Sequence, residues 1–475
     1  MCWWSLGDDP RVSVRPKSAS TRSSVSFPAV AGCRPLGPKL LQQRPPTTPL
    51  LHLVRISLIS LLHTMAKRIL TPLTQTLLPA LRTPVVCGPM ANAAGGSLAA
   101  NISKAGGLGF IGAGYYTPTK LQSELEEVYK VLGKPERGSG NRLEIGIGFL
   151  AWKLTSFNGG QGPPSLGSSD LDAESQALKL IDTALKAKPR AIWMSFGEKE
   201  ELIGWSKIVR EREAAINGGG KAKWGTHLKM FIGVGSREEA QVAVEDCSAD
   251  VVVASGECRT SSQMMRATIE LIALLLPHCA GIEAGGHGLS TSPPLSSLLP
   301  MIRNLLPSWP SSSPSGEQPL LLGAGGMHSG SSLVSTLALG ADGAVFGTRF
   351  LLTPEASYSD EQKKMLMDAS EGQTKRSMAF DEARGTMGWP KGVDGRGVIN
   401  DTVKDFENDV GDSQSRRSKY QEAEKSGDTQ RIVTWAGSGV GNLSKIMLAA
   451  DVVDEIDREA VDELKRLQAS LSDEQ

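Results

Sequence analysis

The chain has 475 residues and 40% hydrophobic content, enough for one large barrel or for two to three ordinary domains around full cores. Lysine plus arginine and aspartate plus glutamate number 51 each, so no net charge draws the chain to nucleic acid or to an anionic membrane, and a small organic ligand is the default partner. Six cysteines without a CxxC pair or a metal-ligand spacing point to free thiols in a reducing, cytoplasmic setting rather than to a disulfide frame or a zinc site.

The first 64 residues stand apart. Between Pro10 and Thr64 there is no acidic residue, while arginine, serine and proline abound. This composition suits a disordered or misannotated extension, with a mitochondrial presequence as the alternative. The organised pattern begins at a second methionine, Met65. The longest apolar runs, such as IELIALLL (Ile269 to Leu276), fall well short of the ~20 residues that cross a bilayer, so no membrane segment is expected.

From Met65 onward, short β-branched and aliphatic runs recur, each ending in glycine or a small residue and followed by a plausible helix. They are PVVCG (84 to 88), LGFIG (108 to 112), LEIGIGF (143 to 149), AIWMSF (191 to 196), KMFIGVG (229 to 235), DVVVA (250 to 254), LLLGAG (320 to 325) and AVFG (344 to 347). Runs apolar on both faces and separated by helices are what buried parallel strands require. Eight of them predict an α/β fold of the TIM type, a (β/α)8 barrel over 65–353. A doubly wound sheet is the structural alternative, but no GxGxxG follows the first strand.

In such a barrel, chemistry sits at the C-terminal ends of the strands, and phosphate often docks after strands seven and eight. Those ends read GAGGMHSG (Gly323 to Gly330) and FGTRF (Phe346 to Phe350). Glycines ahead of a helix start expose backbone N–H groups where the helix dipole favours an anion, and Thr348 adds a hydroxyl. Between the sixth and seventh strands lies GIEAGGHG (Gly281 to Gly288), a histidine in a bed of glycines. Such backbone fits a close approach to a planar ligand, and fits a tight turn as well.

Beyond the barrel, residues 354–430 are polar, with turns marked by GWPKGVDGRG, and read as a small helical subdomain over the barrel mouth. Residues 431–475 return through VTWAGSGVGN to an amphipathic helix, DVVDEIDREAVDELKRLQ, expected to pack on the barrel or on a neighbouring subunit of a homo-oligomer.

The segments TPVVCGPMANAAGGSLAANISKAGGLGFIGAG, GIEAGGHG, LLGAGGMHSG and GADGAVFGTRFLLTPEA together resemble the nitronate monooxygenase family, formerly 2-nitropropane dioxygenases, especially its fungal-type members. The likeness runs in order from about Thr71 to the C-terminus and includes GFLAW, FDEARGTMGWPKGVDGR and VTWAGSGVGN. It implies a barrel holding FMN non-covalently, with O2 as electron acceptor and an alkyl nitronate or nitroalkane as substrate, yielding a carbonyl compound and nitrite.

Carried over by position, the resemblance places Pro89, Met90 and Ala91 against the isoalloxazine ring and assigns the phosphate to Gly325, Gly326, Gly347 and Thr348. Gly285 and Gly286 would pass close to the flavin, and His287 would face the substrate as general base, a role suited to an imidazole whose ordinary pKa lies near neutrality. Ser195 and Trp152 are candidates for the nitro oxygens, although such residues at strand ends are more often simply packed. His328 is expected to be a solvent-facing or structural residue. The rival enzymes are NAD(P)H-dependent flavin reductases of the enoyl-acyl-carrier-protein or quinone type.

One stretch departs from the family. DVVVASG stops at Gly256 and GIEAGGHG begins at Gly281, and the intervening residues match nothing in it. Joining Ser255 directly to Gly281 gives a close family match, so 256–280 reads as a retained intron. The alternatives are a genuine insertion that forms a lid or partner face, or an inactive product in which His287 is displaced.

Overall fold

The computed structural model describes residues 68–135, 141–164, 175–218, 227–255 and 283–471. The extension 1–64 and the insert 256–280 lie outside the described residues. By its contacts the chain divides between Met65 and Ala66, and the described residues all belong to the second unit.

All eight apolar runs are strands. They are β1 (Val85–Cys87), β2 (Phe110–Gly112), β3 (Leu143–Leu150), β4 (Pro189–Ser195), β5 (Lys229–Val234), β6 (Val251–Ser255), β8 (Leu320–Ala324) and β9 (Gly343–Phe346). Between β6 and β8 in sequence comes β7 (Gly286–Leu289), which belongs to a different sheet. The eight pair in parallel in the order β1-β9-β8-β6-β5-β4-β3-β2. A parallel bridge from Val86 to Leu108 joins the two ends and closes the barrel.

Residues on the barrel's inner side explain the apolar runs. Phe110, Trp193 and Phe231 meet inside, with ring centroids 5.3 Å apart for Phe110–Trp193 and 5.2 Å for Phe110–Phe231. Gly146 of β3 makes room for them: a Cβ there would stand 2.1 Å from the Phe110 ring. Leu73, Leu77, Leu78 and Leu81 are buried in the same cluster, so the segment ahead of β1 contributes to the barrel interior. The outward side chains, such as Ile145, Ile147, Ile192 and Met194, pack with the surrounding helices into a second, larger core. Burial on both faces stabilises each such aliphatic side chain by about 1.5–3 kcal/mol, which is why these strands carry few polar residues, all at or next to strand ends.

Past the barrel, the stretch 354–430, read from sequence as a small helical subdomain, carries the helices Asp360–Asp368, Ala379–Arg384, Asp401–Glu407 and Ser413–Ser426. It also contains β10 (Thr374–Ser377) and β11 (Val393–Val398), which the polar sequence did not announce. With β7 they make an antiparallel sheet in the order β10-β11-β7, and His287 stands opposite Gly395. The glycine–histidine stretch is thus not a bare turn but a strand stitched to the subdomain. The C-terminal helix Ala449–Ala469 buries Val452, Val453 and Ile456 against the barrel, in one cluster with Leu98 and Leu333.

Candidate active site

The C-terminal ends of the barrel strands surround a cavity of about 320 Å³, the scale of a site for a small organic ligand. Pro89, Met90, Ala91, Gly285, Gly286, His287, Gly325, Gly326, Gly347 and Thr348 all line it. Segments as distant in sequence as Pro89 and Thr348 are brought to one mouth by the pairing of β1 with β9, and Leu289 of β7 packs at Gly235, just past the end of β5.

Each wall has a local cause. The loop after β1 lies low over the barrel because β2 and β3 offer glycines beneath it. A Cβ on Gly112 would meet the Met90 backbone at 2.4 Å, and one on Gly148 would meet the Pro89 ring at 2.3 Å. The loop after β8 turns through Gly325 and Gly326 at φ +124° and +68°, conformations that side-chain-bearing residues rarely adopt. Gly326 N–H donates to the Glu283 carbonyl at 3.1 Å, and Ser438 N–H donates to the same oxygen at 3.0 Å. Gly437 N–H donates to Thr348 Oγ1 at 2.9 Å, which leaves the Thr348 hydroxyl hydrogen available as a donor. Gly437 and Gly439 line this end too, a contribution that the VTWAGSGVGN motif carried but that sequence reasoning left unassigned.

Two glycine positions have partners within the protein. A Cβ on Gly285 would fall 2.5 Å from the Gly437 nitrogen, so this glycine is required by a crossing of two backbone segments. The helix Gly330–Ala338, whose start was expected to attract a phosphate, is capped from within: Gly330 N–H donates to Glu459 Oε2 at 2.9 Å.

His287 has an environment that the sequence did not reveal. Its Nε2 lies 2.8 Å from Oδ2 of Asp381, and the Asp381 side chain is fully buried while that of His287 is 10% exposed. The other carboxylate oxygen, Oδ1, accepts from the Thr386 hydroxyl at 2.7 Å and from the Trp389 indole N–H at 3.0 Å. Trp389 also stacks on the imidazole, with centroids 3.6 Å apart and planes at 11°. Burial holds the His287 pKa below the ordinary imidazole value; Asp381 opposes that shift, and Arg384 and Arg376 reinforce it. A neutral imidazole at the cavity wall can take a proton near neutral pH.

Ser195 is buried and lines the cavity. Trp152 stands behind Trp389, 5.1 Å away between ring centroids, rather than in the lining. His328 lies outside the lining and its Nδ1 sits 2.9 Å from the Gly326 carbonyl, a structural contact. Arg384, with its guanidinium 5.7 Å from the Trp435 ring centroid, adds a cation to the mouth that sequence reasoning missed. Among the described residues there is no cluster of metal ligands and no helix long and apolar enough to cross a membrane.

A closed parallel barrel with a glycine-walled cavity and a buried imidazole at its mouth defines a (β/α)8-barrel enzyme. The nitronate monooxygenase profile matches residues 74–137 and 231–459, and the chain belongs to that family of oxidoreductases. It is 28% identical over 404 residues to a nitronate monooxygenase of Neurospora crassa, covering 82% of this chain and 93% of that one. It is likewise 28% identical to the nitronate monooxygenase npaC of Metarhizium robertsii, covering 80% of this chain and 91% of the relative. Among solved structures, FabK from Thermotoga maritima superposes with a TM-score of 0.57 at 20% identity, over 85% of this chain and 100% of that one. A nitroalkane oxidase from Streptomyces ansochromogenes gives a TM-score of 0.55 at 21% identity, over 84% of this chain and 100% of that one. These two likenesses concern the fold.

Proposed function

We propose that this protein uses FMN to oxidise alkyl nitronates, and the nitroalkanes that give rise to them, with O2, releasing a carbonyl compound and nitrite. The observation that carries the reading is the meeting of His287 with two glycine loops and Thr348 in one cavity. The names of the fungal relatives support it.

The residues fit the group. An apolar wall at Pro89, Met90 and Ala91 suits an isoalloxazine face, and the end at Gly325, Gly326, Gly347 and Thr348 offers a phosphate the Thr348 hydroxyl and backbone N–H groups other than that of Gly326, which the Glu283 carbonyl already holds. At Gly286 an added Cβ would meet nothing within 4 Å, so the strand presents open space to a ring there. When bound, FMN supplies the electron acceptor that links substrate oxidation to O2.

The chain's own residues do the rest. His287 takes the acidic proton from the carbon beside the nitro group, a step that a preformed nitronate does not need. Arg384 favours the nitronate's negative charge at the cavity mouth, and the Ser195 hydroxyl is available to a nitro oxygen. Trp389 and Trp435, both packed against His287, exclude water from the imidazole. The test is O2 uptake and nitrite release by the purified protein supplied with FMN and ethylnitronate. Turnover with NADH but none with the nitronate would replace this reading with a reductase.

A further inference from the structure

We propose that Asp381 is a positioning residue that fixes the tautomer of His287, so that Nδ1 rather than Nε2 is the atom that accepts the substrate proton. This rests on the functional reading above for its meaning, though not for its geometry.

The hydrogen-bond inventory decides the tautomer. Oδ1 of Asp381 accepts from two donors, Thr386 and Trp389, and hydrogen bonds of this kind favour the charged carboxylate over the acid. Oδ2, 2.8 Å from His287 Nε2, then stands as an acceptor, so Nε2 carries the hydrogen and donates it. A neutral imidazole has only one N–H, and the lone pair is then left on Nδ1. The ring is also held in place. Trp389 covers one face at 3.6 Å, and Trp435 lies tilted with its centroid 4.8 Å from the imidazole centroid. Gly395 of β11, opposite His287, leaves room for both, because a Cβ there would come within 2.4 Å of the Trp435 ring and 3.3 Å of Nε2.

The charges facing the imidazole are few. Asp381 and Arg384 come from the helix Ala379–Arg384, and Arg376 comes from β10, where it pairs at 2.5 Å with Asp394 of β11. When His287 gains a proton, the buried Asp381 carboxylate offsets the new charge and the Trp389 face adds a cation–π contact. Asp381 thus acts through His287 and need not touch the substrate.

Asp381→Asn reverses the inventory. Thr386 and Trp389 retain the amide oxygen, so the amide NH2 turns to Nε2 and forces the hydrogen onto Nδ1, the wrong tautomer for proton removal. With FMN-loaded protein, kcat/KM for nitroethane is expected to fall about 10²- to 10⁴-fold, the range found for misoriented histidine bases. The loss with ethylnitronate, which has no proton to give up, is expected to be smaller by about tenfold or more. Asp381→Glu, which keeps a carboxylate, should recover part of the nitroethane activity. Independently of turnover, ¹⁵N NMR of histidine-labelled protein, with His287 assigned by its absence in His287→Gln, should show an Nε2–H tautomer in the wild-type chain.

An Nδ1–H tautomer in the wild-type chain would overturn the proposal, as would equal losses on the two substrates. Failure of the wild-type protein to oxidise ethylnitronate would overturn the functional reading alone, and the NMR tautomer would still decide this one.

Discussion

Trp389 lies flat on His287 and, through the same indole, donates a hydrogen bond to Asp381, so a single side chain braces both members of the histidine–aspartate pair. Trp389→Phe keeps a ring over the imidazole and removes the donor. Losing a hydrogen bond to a buried carboxylate costs about 1.5–3 kcal/mol. The expected outcome is a lower Tm by thermal denaturation, together with a nitroethane kcat reduced by about tenfold or more from a less firmly held base.

The direction of the His287 shift sets the pH behaviour. Its folded pKa lies below the unfolded value, so the folded chain resists taking up the proton that the unfolded chain accepts. This stability is fully present above the ordinary imidazole pKa and is lost as pH falls from that value through the folded one. Unfolding midpoints in denaturant should drop across that acidic window, and His287→Asn should flatten the drop. Nitroethane kcat/KM should rise with pH through the same depressed pKa and then level off near neutrality, as a base that is already neutral requires.

Inside the barrel, Gly146 gives its space to the Phe110 ring, so Gly146→Ala forces a Cβ to within 2.1 Å of a fully buried aromatic. Overpacking of this kind destabilises by about 1–3 kcal/mol. Chemical denaturation should report that loss, and Phe110→Leu combined with Gly146→Ala should recover part of it.

At the start of β5, far from the cavity, Lys229 is buried beside His227 and Asp250, and burial pulls its pKa down to about 8. The unfolded chain holds that proton up to the ordinary lysine value, so stability should rise with pH from about 8 toward the unfolded lysine pKa. Lys229→Met should abolish the rise in denaturant midpoints. Because Lys229 is not part of the cavity lining, the same variant should keep the wild-type rate with ethylnitronate.

The barrel was legible because its physics is local. Each of the eight barrel strands had to be apolar on two faces, and each run announced itself within a few residues. Where pairing is long-range, the sequence was silent. GHGL carries no alternating pattern, and it becomes β7 only because VDGRGV, more than a hundred residues later, supplies its ladder. TKRS and VDGRGV are too polar to read as strands, yet five of the six VDGRGV residues are buried once β11 lies between β10 and β7. The histidine could be singled out by its glycine setting and by family likeness. Its partner Asp381 is 94 positions away in FDEARGTMGWPKGVDGR, a segment that carried family likeness but assigned no role to any of its residues. The glycines were ambiguous for another reason: Gly285 serves a backbone crossing, whereas Gly286 opens toward the cavity, and composition does not distinguish these uses.

Thr348 joins the cavity wall to the C-terminal segment at the end proposed to hold the FMN phosphate. Thr348→Val removes both the acceptor for Gly437 N–H and the free hydroxyl there. FMN affinity, followed by quenching of flavin fluorescence, should weaken by about tenfold, the worth of one or two polar contacts.

Every functional step proposed for this chain requires a flavin sharing the barrel mouth with His287. The direct measurement is the visible absorbance of FMN-loaded protein mixed anaerobically with ethylnitronate and, separately, with NADH. Bleaching by the nitronate, absent with NADH and reversed on admitting O2, is the predicted result. A protein that binds no FMN, or one whose flavin responds to NADH and ignores the nitronate, would contradict it.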